Sequence, residues 1–94
     1  YSLHDLSTGE VTPLYAVSLA WNRIALYAQD GSLKVYDTDT GALLTDVNAG
    51  TIGDDQRVTL DCEEDGFIWM ELRDADSYEI AAIRVYGPKA SSPT

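Results

Sequence analysis

Apolar and polar residues alternate with a period of two along most of this chain. Leu33 and Val35 alternate with Lys34 and Tyr36, and similar runs occupy residues 15–28, 57–62 and 67–86. Such alternation is typical of β-strands, and the 3.6-residue periodicity of an amphipathic helix is not visible. The pattern predicts an all-β fold of about seven to nine short strands in antiparallel meander order, without a long helix.

Turn residues separate these runs. Asp30-Gly31 predicts a two-residue type I′ hairpin turn, because glycine adopts positive φ without steric cost. Residues 37–41 predict a second turn, since Asp and Thr side chains bond to nearby backbone. Trp21 stands at a predicted strand end before an Asn22-Arg23 turn, where we expect it to be a core residue.

The turn signals recur along the chain. The Asp5–Gly9 segment matches the Asp37–Gly41 segment 32 residues later, and Asp30-Gly31 recurs as Asp65-Gly66 35 residues later. In the last copy the second turn is reduced to residues 73–77. A repeat of this length built from short strands indicates a propeller blade or another β-meander.

Residues 16–22, 24–28 and 30–37 resemble one blade of a WD40-type propeller, with Tyr36-Asp37 in the place of the usual Trp-Asp. The Thr40-Gly41 turn is similar to that of the quinoprotein-type blade. The chain lacks the Gly-His dipeptide of the first family, and Thr45 or Asp46 stands where the second tends to have Trp. The resemblance covers residues 1–47 and, more loosely, 57–86. It implies about two blades of a partial β-propeller, a fold that hosts both enzymes and scaffolds.

These patterns divide the chain into a β-meander domain at residues 1–86 and a disordered tail or linker at 87–94, which is rich in Pro and Ser. Three architectures remain open: a segment of a longer propeller, a propeller closed by oligomerisation, and a small β-sandwich or barrel. We expect the first, because Tyr1 falls inside a predicted strand.

The chain is strongly acidic, with 16 Asp and Glu against 6 Lys and Arg and a formal net charge of -10. Nucleic acid and anionic membrane surfaces are therefore unfavourable partners. No apolar run is long enough to predict membrane insertion. The acids concentrate between Asp54 and Glu79, as either a docking face for a basic partner or a solvated surface, and we expect the latter.

The candidate residues for chemistry are few. Cys62, the single cysteine, has acidic neighbours that would raise the pKa of a thiol, so we expect a buried structural side chain. His4 has no nucleophile motif to serve. Asp37 and Asp39 could bind calcium, but the spacing departs from a calcium loop and favours turn capping. We therefore predict no catalytic residue, no cofactor and no metal site.

The sequence thus predicts a non-catalytic binding module, a propeller segment acting in protein–protein association. The alternative is a non-catalytic portion of a larger propeller enzyme of hydrolase or quinoprotein type. Residues 47–56 are the loop that we expect to contact a partner, if any loop does. The last hairpin is apolar on both faces, so we expect another protein, the rest of a longer chain or a second copy to cover it. The sequence carries no signal for a compartment.

Overall fold

The computed structural model describes residues 2–4 and 6–87. Tyr1, Asp5 and most of the predicted tail, residues 88–94, lie outside the described residues. The described part contains eight strands. In chain order they are β1 (Ser2–His4), β2 (Val11–Ala20), β3 (Arg23–Ala28), β4 (Ser32–Asp37), β5 (Leu43–Asn48), β6 (Gln56–Cys62), β7 (Ile68–Asp74) and β8 (Ile80–Tyr86).

The strands form two antiparallel meanders. The first sheet has the order β1-β2-β3-β4-β5, and the second has the order β6-β7-β8. Every pair of neighbours in a sheet is consecutive in sequence and antiparallel. The predicted all-β antiparallel meander is therefore confirmed. The two sheets remain separate and do not close into a barrel, so the barrel alternative is wrong.

The hydrophobic core lies between the two sheets. Leu33 and Val35 of the first sheet are buried in one cluster with Ile68 and Met70 of the second. The period of two explains this arrangement, since alternate residues of each strand point to the same side. One face of each sheet is thus buried against the other sheet, and the opposite faces point outward.

The turn between β4 and β5 is built on one carboxylate. Oδ1 of Asp37 accepts hydrogen bonds from the backbone N–H groups of Asp39 at 2.8 Å and Thr40 at 3.1 Å. The N–H of Gly41, at φ 76°, donates to the carbonyl of Asp37 at 2.8 Å. The Thr40 hydroxyl accepts from the N–H of Ala42 at 3.2 Å. These bonds confirm that Asp37 caps the turn.

The turn between β7 and β8 repeats the same hydrogen bonds with different residues. Oδ1 of Asp74 accepts from the N–H groups of Asp76 at 2.8 Å and Ser77 at 2.9 Å. The N–H of Tyr78, at φ 62°, donates to the carbonyl of Asp74 at 3.0 Å, as Gly41 does in the other copy. The Ser77 hydroxyl accepts from the N–H of Glu79 at 3.3 Å. The last copy therefore keeps its second turn, although the Thr-Gly signal has disappeared from its sequence.

The turn at Asp30-Gly31 differs from the prediction. Gly31, at φ 97°, has positive φ, but Asp30 does not, so the turn is not type I′. The N–H of Gly31 donates to the carbonyl of Ala28 at 2.9 Å, and Oδ1 of Asp30 accepts from the N–H of Ser32 at 2.8 Å. The loop between β3 and β4 has three residues, 29–31, with only the last in the left-handed region, which is typical of three-residue hairpin loops.

A type I′ turn does occur one hairpin earlier. Trp21 and Asn22, at φ 54° and 58°, are the two residues between β2 and β3. Positive φ at both central positions of a two-residue hairpin loop defines that turn. Trp21 is consequently 56% exposed, and the prediction that it is a core residue is wrong.

The two copies of the repeat meet through the same face. The duplicated turns place β3, β4 and β5 in correspondence with β6, β7 and β8. Leu33 and Val35 then correspond to Ile68 and Met70, and all four are buried in the shared core. The copies therefore contribute corresponding faces to one shared core.

Candidate interaction surface

The outer face of the second sheet presents large apolar side chains to solvent. Trp69 is 45% exposed, Ile83 53% and Val85 47%. Trp69 lies opposite Val85 in the register, and Glu71 lies opposite Ile83. We call this surface the Trp69 face. Its members are the outward residues of β6, β7 and β8, namely Arg57, Thr59, Asp61, Trp69, Glu71, Arg73, Ile80, Ile83 and Val85.

Local sequence places Trp69 on this face. Its neighbours Ile68 and Met70 are both fully buried in the core between the sheets. Because successive residues of a strand point to opposite sides, Trp69 must point outward. The position of Trp69 between two buried residues therefore puts its indole on the outer side of β7.

The surface around Trp69 is shallow and open to solvent. One region of about 530 Å³ is lined by Glu63, Glu64, Asp65 and Trp69. A second, of about 240 Å³, shares Glu63 and Trp69 and extends to Ile83. The indole therefore lies between the acidic turn that joins β6 to β7 and the apolar residues of β8.

Charge is distributed unevenly along the Trp69 face. At one end, the Arg57 guanidinium lies over the Tyr78 ring at 5.6 Å, and Arg73 pairs with Glu71 and donates to the Tyr78 carbonyl at 2.7 Å. At the other end lies the acidic turn of residues 63–65. Arg57 and Arg73 therefore already have partners within the chain, and the end of the face that carries Trp69 is acidic.

Arg23 holds the acidic turn in place. Its guanidinium donates to the backbone carbonyls of Glu63 and Glu64, both at 3.3 Å. The bonds from Arg23 go to carbonyl oxygens, so they fix the backbone of the turn and do not use its carboxylates. The sequence did not associate residues 63–65 with Trp69, although a turn at one end of a strand must lie near the first residues of the next strand.

The loop of residues 47–56, which we expected to contact a partner, is tied to the body of the fold. The Tyr15 hydroxyl donates to the Ile52 carbonyl at 3.2 Å, and the Tyr27 hydroxyl donates to the Gly50 carbonyl at 2.5 Å. Arg84 donates to the Ala49 carbonyl at 3.1 Å. Three long side chains therefore secure this loop as the connection between the two sheets.

Other residues singled out in the sequence lie apart from the Trp69 face. Cys62 is buried, as predicted, and its N–H donates to the Ser18 hydroxyl at 3.2 Å. His4 is exposed on β1, with its Nε2 atom 2.9 Å from the Ser2 hydroxyl. Asp37 and Asp39 belong to the turn between β4 and β5. The structure does not bring these residues together into one site.

Among the described residues, three side chains have shifted pKa values. The backbone N–H of Ser32, followed by its hydroxyl, lowers the pKa of Asp30, and the N–H groups of Ser77 and Asp76 lower the pKa of Asp74. In both cases the hydrogen bonds favour the charged carboxylate. Burial raises the pKa of Tyr27, and Tyr15 and Tyr86 act in the same direction. These shifts arise from turns and the core, so they point to structural roles.

The described residues contain no group of three or more His, Cys, Asp or Glu side chains that could hold a metal ion. Within the same part of the chain, no helix is both long enough and apolar enough to span a bilayer. The acidic side chains beside Trp69 are thus close to one another but are not arranged around a common centre that could hold a metal ion.

Comparison with known proteins places the chain in a single family. The model of a domain of unknown function (DUF5046) matches residues 1–92. No curated protein and no solved structure matches the chain.

Proposed function

The chain belongs to the DUF5046 family, a domain of unknown function, and we propose that it is a non-catalytic interaction module that binds another protein through the Trp69 face. The observation that carries this proposal is the exposure of Trp69, Ile83 and Val85 on adjacent strands. Exposed aromatic and aliphatic side chains that cluster on one surface are typical of protein interfaces.

The inward faces of both sheets are already used. Ile68, Met70 and Leu72 are buried against the first sheet, so the core does not need the outer face. A contiguous apolar patch that the fold itself does not need to bury is a recognised mark of a binding surface. The Trp69 face therefore offers contact area without disturbing the packing between the sheets.

The wider hypothesis, that the chain is a propeller segment, stays a prediction. The way in which the two repeats pack against each other provides an argument about it. In a propeller, each blade turns one face to the next blade and the opposite face to the preceding one, which is a heterologous arrangement. Here Val35 and Met70, at corresponding positions, share one core. This arrangement favours a two-layer unit with two free outer faces over two successive blades.

A photocrosslinking experiment tests the interaction proposal. A photoreactive amino acid replaces Ile83 on the Trp69 face or, as a control, Leu6, which is 97% exposed in the turn between β1 and β2. Irradiation in an extract of the cells that make the protein should yield a specific adduct only from position 83. The adduct is identified by mass spectrometry, and the purified partner is then titrated into the chain.

Binding should weaken at least tenfold in a Trp69→Ser, Ile83→Ser variant and stay unchanged in Leu6→Ser. Circular dichroism and urea denaturation would verify that all variants fold. Equal adducts from both positions, or unchanged affinity of the double variant, would contradict the proposal.

A further inference from the structure

Three carboxylates border the exposed indole of Trp69. Glu63, Glu64 and Asp65 line the same shallow, open region as Trp69, and Glu63 also borders the neighbouring region that reaches Ile83. A tryptophan ring attracts cations to its face, and nearby carboxylates add to that attraction. A positively charged group bound in this region would therefore contact both the indole ring and the carboxylates.

The same occupant would also meet apolar side chains. Ile83 and Val85 lie on β8, and Val85 is directly opposite Trp69 in the register. Their exposed surface offers nothing to a small hydrated cation but can bury apolar side chains of a polypeptide. The combination thus suits a segment with both basic and apolar residues.

A metal ion is a poorer fit. In the part of the chain that the structure describes, no three acidic, His or Cys side chains converge to coordinate one. Divalent cations need several oxygen ligands at a common centre. Carboxylates spread around an indole match the separated charges of Lys or Arg side chains better.

A second copy of this chain is also a poorer fit. Each copy carries a formal net charge of -10, so two copies repel each other. The cations that a second copy could offer from the same face are engaged, Arg57 over Tyr78 and Arg73 with Glu71. Charge complementarity therefore favours a different, basic protein.

We propose that the Trp69 face binds a basic polypeptide segment, with a Lys or Arg side chain against the Trp69 indole beside Glu63, Glu64 and Asp65, and with apolar side chains of the segment on Ile83 and Val85. This inference rests on the proposed interaction function and specifies the chemistry of the partner. It assigns a role to acidic residues that, from sequence alone, we expected to form only a solvated surface.

Synthetic peptides test the proposal on the purified full chain. The probes are a ten-residue peptide that alternates Lys with Val and a matched peptide that alternates Glu with Val, both with blocked ends. Affinity is measured by fluorescence anisotropy of labelled peptide. The indole N–H signal of Trp69 and the backbone amide signal of Leu6 in NMR spectra report the location, and Leu6 serves as an internal control because it lies in the turn between β1 and β2.

Two charge-matched variants separate local from general attraction. One carries Glu63→Gln, Glu64→Gln and Asp65→Asn. The control carries Asp39→Asn, Asp46→Asn and Asp54→Asn, which removes the same formal charge from exposed positions off the Trp69 face. A salt titration accompanies each measurement, because contacts between exposed charges weaken as ionic strength rises.

We expect the Lys-Val peptide to bind at least tenfold more tightly than the Glu-Val peptide and to shift the Trp69 signal but not that of Leu6. The first variant should weaken binding at least fivefold, and the control less than twofold. Equal weakening by both variants would overturn the proposal, because net charge alone would then explain binding. No binding, or a shift of the Leu6 signal equal to that of Trp69, would also overturn it.

Two further outcomes separate this inference from the proposed function. Tighter binding of the Glu-Val peptide at Trp69 would refute the basic partner and leave the interaction function standing. A shift of the Trp69 signal on dilution of the chain alone, with a matching change in light scattering, would identify a second copy as the occupant and overturn the basic partner. The interaction function itself fails only in the crosslinking experiment.

Discussion

At the scale of single residues, short polar side chains determine where the chain turns. Asp30, Asp37 and Asp74 each accept a backbone hydrogen bond from a residue two positions ahead, at 2.8 Å in every case. Such bonds satisfy backbone donors that the strand ladders leave unpaired. These turns therefore need little help from the rest of the fold.

Replacement of Asp74 by Asn should change how stability depends on pH. The N–H groups of Ser77 and Asp76 lower the pKa of Asp74 in the folded state. Asp74 therefore stabilises the fold above its unfolded pKa of about 3.9, and this contribution disappears as pH falls through the lower folded pKa. The Asn amide oxygen can accept the same bonds but does not titrate. We expect Asp74→Asn to be less stable than the native chain at pH 7 and the difference to shrink towards pH 2.

Urea denaturation between pH 2 and pH 7 measures this difference. Asp76→Asn, in the same turn, controls for the loss of one charge. A stability difference for Asp74→Asn that stays constant with pH would show that the effect does not come from the carboxylate.

At the scale of elements, the same turn geometry tolerates different sequences. Gly41 and Tyr78 occupy corresponding positions, at φ 76° and 62°. A left-handed conformation costs an ordinary residue roughly 1–2 kcal/mol, and Tyr78 adopts it where its ring receives the Arg57 guanidinium. The contact between Arg57 and Tyr78 lies on the Trp69 side of the hairpin and offsets part of that cost.

Alanine at two glycines should separate backbone strain from crowding. At Gly41 a Cβ atom would meet no heavy atom within 4 Å, so Gly41→Ala should cost only the roughly 1–2 kcal/mol of its positive φ. At Gly31 a Cβ atom would lie 3.1 Å from Oδ1 of Asn48 and 3.2 Å from the Gly50 carbonyl oxygen. We expect Gly31→Ala to be the more costly of the two, because strain and crowding add. Equilibrium urea unfolding of both variants gives the ranking, and a larger loss for Gly41→Ala would contradict it.

At the scale of the whole molecule, stability resides between the sheets and binding is proposed outside them. Tyr27, Leu33 and Val35 from the first sheet and Ile68 and Met70 from the second are the largest fully buried side chains. Neighbouring residues of β7 therefore have different roles, because side chains of a strand alternate between its two sides. Met70 belongs to the core, and Trp69 belongs to the Trp69 face.

Alanine substitutions at neighbouring positions of β7 test this separation. Met70→Ala removes a fully buried side chain from the core and should reduce the free energy of unfolding by about 2–5 kcal/mol. Trp69→Ala removes a half-exposed ring and should cost less than about 1 kcal/mol. Thermal and urea denaturation measure both. Similar losses for the two variants would mean that the outer face contributes to the folded core.

The sequence alone was sufficient for the local structure. Alternation around Leu33 and Val35 predicted β4, and the same pattern in residues 57–62 predicted β6, because side-chain direction in a strand depends only on position along it. Asp37 was correctly predicted as a turn cap for a similar reason, since its bonds reach only two or three residues ahead. The prediction for Trp21 was wrong because the local sequence fits two structures equally well. Trp21 could be the last residue of a strand or the first residue of the turn that follows, and the structure has the second.

The tertiary structure alone decided which faces meet. Apolar residues occur on both faces of several strands, so the pattern did not indicate whether Met70 or Trp69 would be buried. Val35 and Met70 are far apart in the chain but belong to the same core. This core forms only when the two sheets pack together and exclude water. The same packing leaves Trp69 outside, beside Glu63 and Asp65, so the candidate binding surface is a consequence of how the sheets assemble.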